Sequence, residues 1–107
     1  MRYLFMAFVL AAASLAQAQP STQTVSAREL ISWCSDGSAA GSLACTAYIM
    51  GIADAVQDPS ARSCPGSASR EQIRVAVMRY IASSSGLDLP AAVSVTAALQ
   101  ATFPCRS

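Results

Sequence analysis

Cys45-Thr46-Ala47-Tyr48-Ile49-Met50-Gly51-Ile52-Ala53-Asp54 is the stretch on which the fold turns. Cys45, Ile49, Ile52 and Val56 recur at steps of four, three and four, the spacing of one helical face. Ala44, Ala47, Gly51 and Ala55 make a second face of small residues beside it. Small side chains let another backbone approach, so this helix is expected to be central, with neighbours on two sides. Glycine in mid-helix costs about 1 kcal/mol relative to alanine. A close helix contact at Gly51 is the expected compensation.

Working outward, this helix runs from about Ala40 to Gln57 and stops ahead of Asp58-Pro59, because the residue before a proline is pushed out of helical geometry. Upstream, Ser26 is placed as an N-cap, Glu29 as its capping-box partner, and Val25 with Leu30 as a hydrophobic staple. The helix they open presents Leu30, Ile31, Trp33 and Cys34 and ends near Ser35, where Asp36-Gly37-Ser38 supplies turn chemistry. Trp33, the sole tryptophan, reads as a core or rim anchor. Downstream lies a polar loop through Pro59, Cys64, Pro65 and Gly66. A third helix then opens at Ser69, with Gln72 at the capping-box position and Ile73, Val77, Tyr80 and Ile81 on one face. Arg70, Glu71, Arg74 and Arg79 fall elsewhere and read as a solvated face, Glu71 and Arg74 supporting one another at i,i+3. Ser83-Ser84-Ser85-Gly86 breaks this helix; Asp88 is expected to cap a fourth one with Pro90 in its first turn. Ala92, Val95, Leu99 and Phe103 mark its buried face, and Pro104 ends it before Cys105.

No period-two alternation argues for a sheet, so the expected architecture is all-α: a small four-helix up-down bundle. Four cysteines allow three pairings. An antiparallel hairpin brings Cys34, at the end of the first helix, to Cys45, near the start of the second. The same topology puts Cys64, ahead of the third helix, and Cys105, behind the fourth, together at the other end of the bundle. Cys34 with Cys45 and Cys64 with Cys105 is the favoured pairing.

Residues 1–18 read as a signal peptide: Met1-Arg2, an apolar run from Tyr3 to Leu15, then Ala16-Gln17-Ala18 as a small-x-small cleavage site. The run is shorter than the roughly 20 residues that span a bilayer, so no membrane association is expected once the leader is removed. Residues 19–25 are expected to be an unstructured mature N-terminus and 26–107 the helical domain. About 89 residues remain after the leader, enough for one domain. They carry Arg28, Arg62, Arg70, Arg74, Arg79 and Arg106 against Glu29, Asp36, Asp54, Asp58, Glu71 and Asp88. That balance offers no nucleic-acid footprint. Paired cysteines in an exported chain of this size point to an oxidising compartment.

The chain contains no histidine, which removes the commonest general base and metal ligand. The cysteines lack Cys-x-x-Cys knuckles, and no phosphate-binding glycine loop or Ser-x-x-Lys pair is present. No catalytic residue, metal site or cofactor is therefore expected, and no enzyme. Asp54, the one acid of the central helix, stands near its C-terminus, where a negative charge is electrostatically misplaced. An arginine or hydroxyl partner is expected for it.

Taken together, Cys34, Cys45-x-x-Tyr48-x-x-Gly51-x-x-Asp54, Cys64-Pro65, the capped helix with Gln72 and Tyr80-Ile81, and Ala98-Leu99 with Phe103-Pro104-Cys105 resemble the Rap/Tai family of type VI secretion immunity proteins. The resemblance spans about Leu30 to Cys105. It implies a small all-helical periplasmic protein, often a homodimer, that binds a peptidoglycan amidase effector, blocks its cleft and so protects the producing cell. What carries over is a framework: the four cysteines, Tyr48, Gly51, Asp54, Phe103 and Pro104. No partner-binding residue carries over. The alternative reading is a small periplasmic chaperone or stress-response binding protein, which would hold many unfolded clients weakly.

Overall fold

The computed structural model describes residues 24–57 and 62–105. They form four helices: α1 (Ala27–Ser35), α2 (Ala39–Ala55), α3 (Arg70–Ala82) and α4 (Ala91–Thr102). No strand occurs among the described residues, only two isolated bridges, Ser26 with Pro90 and Ser63 with Pro104. α1 packs chiefly on α2 and α3 on α4, and every helix meets the other three. This is the expected all-α arrangement. Leu30, Ile49, Val77, Ile81, Val95 and Leu99, contributed by all four helices, are fully buried at its centre. The expected leader lies outside the described residues, as do residues 19–23.

Local chemistry accounts for the helix starts. Ser26 caps α1, its hydroxyl accepting from the Glu29 N–H at 3.1 Å. The Glu29 side chain does not complete the box; instead Ala27 N–H donates to the Leu89 carbonyl (2.9 Å) and Arg28 N–H to that of Leu87 (3.0 Å). Orphan amides of the first turn are thus satisfied by the segment ahead of α4. Ala91 N–H returns the favour to the Val25 carbonyl at 2.7 Å. Ser69 and Gln72 form both halves of the predicted capping box on α3. α2 starts at Ser38, whose hydroxyl accepts from Gly41 N–H at 3.0 Å and donates to the Asp36 carboxylate.

Both disulfides pair as expected: Cys34 with Cys45, Cα atoms 5.0 Å apart, and Cys64 with Cys105, Cα atoms 4.9 Å apart. The second bridge is backed by Cys64 N–H donating to the Phe103 carbonyl at 2.7 Å.

Five sequence expectations are corrected. A side chain at Gly51 would meet nothing within 4 Å, so no close helix contact explains that glycine. The tight approach is at Gly41, where an added Cβ would lie 2.9 Å from the Trp33 carbonyl oxygen. The buried stripe of α2 is Cys45, Ile49 and Ala53, with Ile52 and Val56 half-buried and Ala44, Ala47, Gly51 and Ala55 exposed. α2 is small and uncharged almost all round, so its chemistry does not mark an inner face. On α3, Ile73, Val77 and Ile81 are buried at steps of four, which leaves Tyr80 on the flank and 36% exposed. Asp88 does not cap α4: Pro90 occupies the cap position without a side-chain bond, and the Asp88 carboxylate pairs with Arg28 at 3.2 Å. The inner face of α4 is Ala91, Ser94, Val95, Ala98 and Leu99; Ala92 is half-buried and Phe103 packs on the core from the C-cap.

Candidate partner-binding surface

The framework residues of α2 fan out along its outer side rather than converging. Tyr48 is half-buried and meets Trp33 edge to face, ring centroids 6.2 Å apart and planes at 74°. Such an aromatic pair fixes the α1–α2 hairpin beside the Cys34–Cys45 bridge. Trp33 is the rim anchor that the sequence suggests. Gly51 and Asp54 are exposed. Phe103 and Pro104 lie instead at the far end of the bundle, next to Cys64–Cys105, with Pro104 bridged to Ser63. These positions serve packing and pinning, Gly51 and Asp54 excepted.

Asp54 departs from expectation. Among the described residues its carboxylate has no ion pair and no hydrogen bond, whereas Asp88 has Arg28 and Glu71 has Arg74. α2 has no basic residue in its last turn. Beside Asp54 runs a groove of about 190 Å³ between the end of α2 and the start of α3. Met50 gives it apolar surface above buried Ala53 and Ile73, Pro65 and Gly66 form one wall, and Asp54 and Gln57 stand at its edge. Gly66 adopts φ +61°, a left-handed conformation that suits glycine. That turn, closed by Ala68 N–H donating to the Pro65 carbonyl at 3.1 Å, sets the wall.

Charge elsewhere is distributed as the sequence suggests. Arg74 donates to both Glu71 oxygens at 3.1 and 2.7 Å. Hydrogen bonding from Arg74 holds the Glu71 carboxyl below its ordinary value, and the same bond raises Arg74. Arg70 and Arg79 are exposed on the same helix without such a partner among the described residues. α4 carries no charge at all, and its outer side shows Val93 at 53% and, just before the helix, Leu89 at 48% exposure. Leu43 on α2 is 71% exposed. Sequence periodicity missed Leu43, Leu89 and Val93 because an outward apolar residue leaves no spacing signature. The absence of charge along α4 is the signal that could have found Leu89 and Val93.

Among the described residues no three His, Cys, Asp or Glu side chains gather to hold a metal ion, and no helix is long and apolar enough to cross a membrane. A stapled bundle with a preformed groove, unpaired charges and outward apolar side chains defines a small protein-binding domain. The model of the Rap1a immunity protein family matches residues 26–105, and the chain belongs to that family. Family membership gives it an immunity role against secreted effectors and, with the two disulfides, an extracytoplasmic setting. Comparison with curated proteins yields no match.

Proposed function

We propose that this chain is a stoichiometric inhibitor that binds a peptidoglycan amidase delivered by type VI secretion, covers its active-site cleft in the periplasm and so protects the producing cell from itself or its siblings. The observation that carries this reading is the family match over residues 26–105. Of the framework, Tyr48, Phe103, Pro104 and the four cysteines hold the binding surface in place, while Gly51 and Asp54 are exposed upon it. Export by the leader, residues 1–18, delivers the chain to the compartment where the amidase acts.

The test is capture. Tagged mature protein, oxidised in the periplasm, is exposed to extracts of its own and sibling cells with their secretion systems active. Recovery of one cell-wall amidase at near-equal stoichiometry, with loss of its activity on peptidoglycan, is the expected result. Many unfolded clients instead of one amidase would replace the inhibitor with a chaperone. The homodimer that the family resemblance implies is checked by sedimentation of the purified mature chain.

A further inference from the structure

The groove beside Asp54 has the makings of a specific contact. The last carbonyls of a helix lack intrahelical partners and carry about half a negative charge. α2 adds the Asp54 carboxylate there and no cation in its last turn, while neighbouring α3 ends with Arg79. Among the described residues, arginines stand beside Glu71 and Asp88 and none beside Asp54. Negative potential is therefore left open to solvent at this helix end, among the described residues.

Shape complements charge. At about 190 Å³ the groove falls below the roughly 300 Å³ at which small-molecule pockets begin, and matches a single side chain. Over a floor of buried Ala53 and Ile73, the half-buried Met50 offers contact to a methylene stem, and Asp54 with Gln57 at the edge suits a charged head. Little reorganisation is needed on binding, because the Pro65–Gly66 wall is held by Cys64–Cys105 on one side and by the Ser69–Gln72 capping box on the other.

We propose that this groove seats one cationic side chain, arginine or lysine, of the effector. The inference rests on the inhibitor reading above for its partner, but not for its chemistry.

Two arms separate the two. In the first, the ¹⁵N-labelled mature protein is titrated with N-acetyl-arginine methylamide, its lysine counterpart and the uncharged citrulline analogue. The cationic probes are expected to move the amides of Asp54, Gln57 and Gly66 saturably, and citrulline to leave them in place. Asp54→Asn is expected to weaken this binding about tenfold, as loss of a charge-assisted contact does, and Glu29→Gln to leave it unchanged. Asp54→Asn should melt no lower than the parent, which shows that it folds. Absence of shifts at these amides, equal shifts around every acid, or an unchanged Asp54→Asn titration would overturn the proposal. In the second arm, Asp54→Asn is expected to weaken the captured amidase complex about tenfold and to flatten its salt dependence. Undiminished affinity would overturn the groove as an effector contact and leave the inhibitor standing. If the parent captures no amidase, the inhibitor reading fails, and the probe titration alone decides the groove.

Discussion

Helix α3 begins at Ser69, bound on both sides by Gln72, keeps Glu71 in its first turn and Arg79 in its last, and ties Glu71 to Arg74. α2, packed against it, has a mid-helix glycine with empty space above it, an acid near its negative end with no partner among the described residues, and no cation in its last turn. α3 holds much of its own stability in local capping and charge. α2 depends on its neighbours: Cys45, Ile49 and Ala53 buried along one stripe, and a disulfide to α1. Residues that weaken a helix with no contact in the fold to offset them answer to something outside it. For Asp54 the groove supplies that reason.

The comparison can be broken most severely in the shared core. Ile49→Ala, at a fully buried position of α2, is expected to cost about 4 kcal/mol in urea unfolding; a loss below 1 kcal/mol would mean that α2 is not held by its buried stripe. Next comes its staple. Cys34→Ala with Cys45→Ala opens a loop of sequence separation 11 and is expected to cost about 3 kcal/mol. Amide exchange should then quicken at the start of α2 and stay unchanged in α3.

Two single substitutions sharpen the contrast by their opposite signs. Gly51→Ala enters open space and should raise stability by about 1 kcal/mol. Ser69→Ala breaks a formed cap and should lower it by about 1 kcal/mol. Thermal melts of the pair decide the matter, and a loss in both would show that α2 is as well fitted to the fold as α3. The smallest effect is the pH response of the Glu71–Arg74 pair. The Arg74 hydrogen bond lowers the Glu71 pKa in the folded protein from its ordinary 4.5. Its stabilisation is therefore complete above the unfolded value and fades as pH falls through the lower folded one. Arg74→Gln should remove that part of the slope in melts taken across this window.

Much of this fold is legible in the sequence because its signals are local. The Ser69–Gln72 box, the Ser26 cap and the breaker after α3 each act within a few residues, and the structure contains them. The disulfide pairing was legible for another reason: helix order alone decides which ends of an up-down bundle meet. Asp88 and Asp54 misled because an acid's partner is chosen in three dimensions. Asp88 found Arg28, sixty positions away, and Asp54 found no partner among the described residues. The groove itself was illegible, since Pro65 and Gly66 announce a turn but not what it faces. Tyr80 and Gly51 misled through periodicity, which names a stripe and leaves its angular centre to the neighbouring helices.

Both bridges join cysteines that are consecutive along the chain, the first to the second and the third to the fourth. An oxidase that pairs thiols in the order in which they emerge from the translocation channel therefore produces the native connectivity directly. The α1–α2 clip closes once Cys45 has emerged, and the remaining thiols have only each other as partners when Cys105 arrives. Maturation of this protein calls for oxidation but not for disulfide isomerisation, and it should proceed normally in cells that lack an isomerase.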